Sequence, residues 1–152
     1  MTYDRKTSAG YLTNWAARLF ARALERRIVG SSSGPMPVFV ALQDGRSLTQ
    51  KELVRQASVE QPTMAATLGR MERDGLIVRT PDPKDGRSSR VALTPFGLER
   101  AKAAFAIARE VNDLASNVLT PAELDLYRDM LRRIIAALEK DIGAGMKDAD
   151  RD

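Results

Sequence analysis

Cysteine and histidine are both absent from this 152-residue chain. Without cysteine there can be no disulfide, no zinc–thiolate or iron–sulfur site, and no thiol to sense peroxide. Without histidine the commonest metal ligand and proton shuttle is missing, and neither Ser-His nor Cys-His pairs can be built. Catalysis would fall to Asp, Glu, Lys, Tyr, Ser or Thr alone, so an enzyme is the least favoured class and neither metal nor cofactor is expected. Aromatic residues are only 5% of the chain, which leaves aliphatic and alanine-based helix packing to fill the interior. No run approaches the roughly 18 apolar residues of a membrane span. The start, Met1-Thr2-Tyr3-Asp4-Arg5, lacks the apolar core of a signal peptide. The expectation is a cytoplasmic protein with no membrane partner.

What is present suits one globular domain over 1–152: 43% apolar and 29% charged residues exclude global disorder. The net charge of +4 is uneven, with balances of +3 over residues 1–45, +3 over 46–90 and −2 over 91–152. A basic front and an acidic tail suit an anionic partner, although many solvated faces look the same.

Periodicity sets out the elements. Leu12, Trp15, Ala16, Leu19, Phe20, Ala23, Leu24 and Ile28 trace one face of an amphipathic helix. Gly30-Ser31-Ser32-Ser33-Gly34 ends it in a loop, and Pro37 to Leu42 reads as a second helix. Thr49 with Glu52 forms a capping box for a third helix ending near Ala57. Gln61-Pro62-Thr63 opens a fourth with Pro near its first position, inward residues Met64, Leu68 and Met71, and a stop at Gly75. Leu76 to Arg79 and Arg90 to Leu93 read as strands around Pro81-Asp82-Pro83-Lys84-Asp85-Gly86-Arg87, a charged hairpin tip. Thr94-Pro95 and Thr120-Pro121-Ala122-Glu123 open two long helices, the second carrying Leu124, Tyr127, Leu131, Ile134, Ile135, Leu138 and Ile142 on one face. The tail after Gly143 reads as polar and frayed.

Two short helices around a tight turn, followed by a basic hairpin, make a winged helix-turn-helix: a mainly α fold with a small β-wing. Such a helix enters the major groove with its N-terminal residues on base edges, while the hairpin reaches toward the adjacent minor groove. Gln61, Thr63 and Thr67 are polar, and Thr63, Thr67 and Arg70 fall on one side opposite Leu68 and Met71. Arg70 lies far enough along the helix to meet a phosphate. Thr49 and Gln50 can donate to phosphates, and Lys84, Arg87 and Arg90 charge the wing beside Asp85 and Ser88. Arg79 either serves the wing's packing or pairs with an acid.

The ordered set Leu48-Thr49-Gln50-Lys51-Glu52-Leu53, Gln61-Pro62-Thr63-Met64 and Arg70-Met71-Glu72-Arg73-Asp74-Gly75-Leu76-Ile77-Val78-Arg79 resembles the helix-turn-helix of the MarR (multiple antibiotic resistance regulator) family. Asp85-Gly86-Arg87-Ser88-Ser89-Arg90-Val91-Ala92-Leu93-Thr94, then Pro95-Phe96-Gly97, resembles that family's wing. The resemblance implies a homodimer built by helices over 8–34 and 94–142, with 35–93 as the lobe that binds double-stranded DNA. It implies Arg87 in the minor groove, oriented by a charge-assisted hydrogen bond to Asp85. It also implies a small-molecule effector, phenolic or an aromatic acid, in a cleft bordered by the first helix. Trp15 and Arg18 are the candidates to meet it. Pro62 is a variant at the base-reading end that alters which bases can be read.

The terminal helices are apolar over more turns than one chain can bury alone, which favours dimerisation independently of family. Trp15 taken singly is a core residue more often than a ligand contact, and Arg87 taken singly is a solvated loop charge. A competing reading is a winged-helix module that docks protein or RNA, which would expose an apolar patch where this chain has Gln61, Thr63 and Thr67. The operator, the regulated genes, the effector and the choice between repressor and activator are not written in the sequence.

Overall fold

A computed structural model describes residues 4–28 and 34–149 of the protein. The Gly30-Ser31-Ser32-Ser33 stretch expected to form a loop, and Met1, Thr2 and Tyr3 of the N-terminal reading, lie outside the described residues. The elements run α1 (Ala9–Glu25), α2 (Met36–Leu42), β1 (Leu48–Thr49), α3 (Gln50–Ala57), α4 (Gln61–Arg73), β2 (Ile77–Pro81), β3 (Ser89–Leu93), α5 (Pro95–Ser116) and α6 (Pro121–Ala149). The chain divides into two compact units, Met1–Val111 and Asn112–Asp152, with the division inside α5.

In the first unit, Ser8 caps α1 by accepting from the Tyr11 N–H at 3.2 Å. The helix ends at Glu25 rather than reaching Ile28, and beyond it the Leu24 carbonyl accepts from both the Arg27 and Ile28 N–H groups. Only Leu24 of α1 is buried. The core lies instead under α2, α3 and α4, where Val38, Phe39, Leu42, Leu53, Met64, Leu68 and Met71 meet Ile77 and Val91 of the sheet.

The helix boundaries follow their caps. Thr49 accepts from the Glu52 N–H while the Glu52 carboxylate accepts from the Thr49 N–H, so two orphan donors at the start of α3 are satisfied reciprocally. At the end of α4 the Leu76 N–H reaches the Met71 carbonyl and the Gly75 N–H reaches Glu72, a Schellman motif. Gly75 sits at φ +72°, where a side chain would be strained. The chain leaves that turn straight into β2.

The sheet has the order β1-β3-β2 and is antiparallel throughout. Two strands were expected. The third, β1, has no signal in the sequence because its two residues are too few to alternate and lie at the cap of α3. The expected hairpin is present, with Ile77 opposite Leu93 and Pro81 opposite Ser89. Pro81 is tolerated because β2 is an edge strand and Pro81 its last residue.

Alpha-helix α5 docks on the turn that ends α4. The Thr94 hydroxyl donates to the Gly75 carbonyl at 2.6 Å and accepts from the Gly97 N–H at 2.9 Å. Gly97 comes so close that a Cβ there would stand 2.0 Å from the Leu76 carbonyl oxygen.

In the second unit, Thr120 and Glu123 form the second capping box, at 2.7 Å and 3.3 Å. Helix α6 then continues to Ala149, beyond Gly143 where a frayed tail was expected. None of its described side chains is buried, and Leu138 and Ile142 are 57% and 62% exposed. Among the described residues no helix is long and apolar enough to cross a membrane.

Candidate nucleic-acid interface

The site is built on the α3–turn–α4 unit and the β2–β3 hairpin. Ser58, at φ 50°, ends α3 in the left-handed conformation, and its N–H bonds the Val54 carbonyl. Three residues later α4 begins, with Pro62 at N1/N2, where its missing N–H costs nothing. The Gln50 side-chain amide donates to the Gln61 side-chain Oε1 at 3.1 Å, so the first turns of the two helices meet at the surface.

The first turn of α4 exposes Gln61, Pro62 and Thr63. One face further along also exposes Ala66, Gly69 and Arg70. Ala66 and Gly69 were missed by sequence reasoning, because small residues carry no polar or periodic signal. They matter as a surface low enough for another backbone to approach.

Thr67 requires a correction. It is only 6% exposed and lies with Met64, Leu68 and Met71 on the buried side. Its hydroxyl accepts from the Arg70 guanidinium at 3.3 Å. It therefore orients Arg70 instead of meeting a base. The Thr49 hydroxyl is likewise committed, donating to Glu52 at 3.0 Å and accepting from its N–H. Hydrogen bonds from Thr49, first through its N–H and then its hydroxyl, hold the Glu52 carboxyl below its usual range.

The wing tip is shaped by two aspartates. The Asp82 carboxylate accepts from the Lys84 N–H at 3.0 Å, and the Asp85 carboxylate accepts from the Arg87 N–H at 3.0 Å. The Ser88 N–H closes the turn on the Asp85 carbonyl at 2.9 Å. Asp85 thus sets the backbone under Arg87 through a hydrogen bond that its carboxylate accepts. The side chains of Lys84 and Arg87 are exposed and have no ion-pair partner among the described residues.

Arg90 is a second correction. It lies on the central strand, half-buried, bonded to Ser47 and 3.7 Å from Asp82, so it is not a free wing charge. Arg79 pairs with Glu72 at 3.0 Å, the acid partner being one of the two roles open to it. Nearby, the Arg46 guanidinium bonded to Asp44 lowers that carboxyl to about 2. Among the described residues no acidic cluster could hold a metal ion.

Trp15 and Arg18 lie exposed on α1, one turn apart, with Trp15 at 50%. Tyr11 meets Trp15 edge-on, with ring centroids 6.2 Å apart.

A model of the MarR family matches residues 36–88, the span from α2 into the wing tip. The transcriptional regulator HosA of Escherichia coli O111:H- is 32% identical over 100 residues, covering 66% of this chain and 74% of HosA. The HTH-type transcriptional repressor NicR of Pseudomonas putida is 30% identical over 95 residues, and the match spans 62% of this chain and 60% of NicR. The PcaV transcriptional regulator of Streptomyces coelicolor, solved with its natural ligand, superposes with a TM-score of 0.82. That alignment covers 91% of this chain and 99% of PcaV at 24% identity, a likeness of fold. Family model, relatives and winged-helix architecture agree, and the chain belongs to the MarR family.

Proposed function

We infer that the protein is a sequence-specific DNA-binding transcriptional regulator, acting as a homodimeric repressor on a pseudo-palindromic operator. The observation that carries this is the pairing of an exposed polar and small-residue face on α4 with a wing whose Lys84 and Arg87 are free to meet phosphates. Gln61 and Thr63 read base edges, while Gln50 and Arg70 hold the backbone. Arg87 enters the minor groove. Two copies would present their recognition helices about 34–36 Å apart, one turn of duplex. No large apolar side chain is exposed on α4, which argues against a protein-docking role for this face.

Exposed Leu12, Trp15 and Leu19 on α1, and exposed Ile134, Leu138 and Ile142 on α6, support self-association. A small-molecule effector follows by analogy with PcaV, and Trp15 and Arg18 offer an aromatic face and a cation to an aromatic acid. The effector would release DNA by favouring a dimer whose two lobes no longer match the operator.

The test is Arg87→Ala against a duplex recovered from a random-sequence pool. Affinity should fall and the salt dependence should drop by about one counterion. Unchanged binding would remove the wing from the DNA-contacting surface.

A further inference from the structure

Arg90 joins parts of the lobe that are distant in sequence. It sits in the middle of the sheet, opposite Thr49 of β1 and Thr80 of β2. Its Nε donates to the Ser47 hydroxyl at 3.0 Å and its Nη2 to the Ser47 carbonyl at 2.5 Å. Its Nη1 lies 3.7 Å from the Asp82 carboxylate, whose side chain is 9% exposed. Asp82 in turn accepts from the Lys84 N–H and donates its own N–H to the Ser88 carbonyl. The charge of Arg90 also contributes to lowering the Glu52 carboxyl, after the two Thr49 hydrogen bonds, so it reaches the cap of α3.

One guanidinium therefore ties the stem of the wing to the segment that enters the helix-turn-helix. Residues 82–88 extend past both the last β2–β3 pair and the two β1–β3 pairs, so no strand pairing holds the tip itself and side-chain bonds at its base set its direction. We propose that Arg90 is a positioning residue that fixes the angle of the wing to the helix-turn-helix, so that Arg87 and the first turn of α4 bear on the same duplex. The planar fork is suited to such bridging, since it serves a hydroxyl, a carbonyl and a carboxylate at once, which a lysine ammonium on a flexible stem cannot reproduce. The proposal rests on the DNA-binding reading above, but its first consequence does not involve DNA.

The chain has no cysteine, so Lys84→Cys places one fluorophore at the wing tip of the full protein. Arg90→Lys should enlarge the fast component of the fluorescence anisotropy decay. Asp82→Asn, which keeps an acceptor for the Lys84 N–H, should do so to a lesser degree and serves if Arg90→Lys does not fold. Unchanged decays in both variants overturn the proposal. Without the label, Arg90→Lys should weaken binding to the selected duplex about tenfold, the equivalent of one charge-assisted hydrogen bond, with the salt slope unchanged.

In an Arg87→Ala background the same change should cost less than about twofold, because the residue it positions is gone. A salt slope reduced by about one would make Arg90 a phosphate contact, and full additivity with Arg87→Ala would make its effect general. Either result overturns the proposal. If Arg87→Ala leaves binding intact while the label still loosens, the reading of the wing as a DNA contact fails and the anchoring role stands.

Discussion

The helix-turn-helix lobe and the terminal helices leave opposite kinds of surface open. In the lobe, Leu42, Leu53 and Leu68 are fully buried, and α4 shows outward only polar, small or charged residues. On α1 and α6 most of the large apolar side chains are exposed, from Leu12 and Trp15 to Leu138 and Ile142, with Leu24 buried and Phe20, Leu124 and Leu131 half-buried. A lobe that has buried most of its large apolar side chains, with Val40 and Val78 the exposed exceptions, and turns polar groups and cations outward on α4 and the wing has little apolar face left to cover. A helix that leaves most of its apolar stripe exposed is unfinished until another apolar face covers it. The two surfaces thus call for two different partners.

The comparison breaks first on stability. Leu68→Ala should cost roughly 2–5 kcal/mol in denaturant unfolding, since it opens a cavity in a close-packed core. That loss should not depend on protein concentration. Leu138→Glu should instead act on assembly, weakening self-association about a hundredfold, some 3 kcal/mol, by setting like charges against each other across a two-fold interface. Sedimentation at micromolar concentration would show it as a shift from dimer to monomer. A wild-type chain that sediments as a clean monomer would overturn the reading of both terminal helices.

Much of the fold was legible because its boundaries are marked by local chemistry. Thr49 with Glu52, Thr120 with Glu123, Pro62 at the start of α4 and Gly75 beyond its end each fix a terminus within one turn of sequence. What was not legible depends on distance or on a double role. The strand β1 is two residues long and already occupied in capping α3. Thr67 reads as polar, yet its short side chain fits under α4 and finds Arg70. Arg90 reads as one more wing charge until Ser47, 43 positions away, comes within hydrogen-bond reach. Asp85 and Arg87 were identifiable as a pair, but only backbone geometry shows that the bond runs to the amide.

The lobe's polar face can be divided further by its response to DNA sequence. Gln61→Ala should relax preference at one base position of each half-site by about 1–3 kcal/mol while total affinity changes less. Gln50→Ala should follow in the same direction with a smaller effect, because it frees the Gln61 amide that it now orients. Binding to a panel of single-position variants of the selected duplex measures both. A uniform loss across the panel would reassign Gln61 to backbone contact.

The smallest effect distinguishes folding from function most directly. Gly69 lies inside α4 on its exposed face, and among the described residues a Cβ there would meet nothing within 4 Å. A glycine in a helix interior costs roughly 0.5–1 kcal/mol relative to alanine. Among the described residues nothing requires that cost, since neither packing nor an unusual φ is at stake. Gly69→Ala should therefore raise the unfolding free energy by about that amount. If the face is addressed to DNA, the same methyl should lower affinity for the selected duplex, because it stands where a phosphate backbone or base edge approaches. Stability and binding would then move in opposite directions for one carbon atom. A variant that gains stability and binds as well as before would place the duplex elsewhere on α4, toward Gln61 and Thr63 alone.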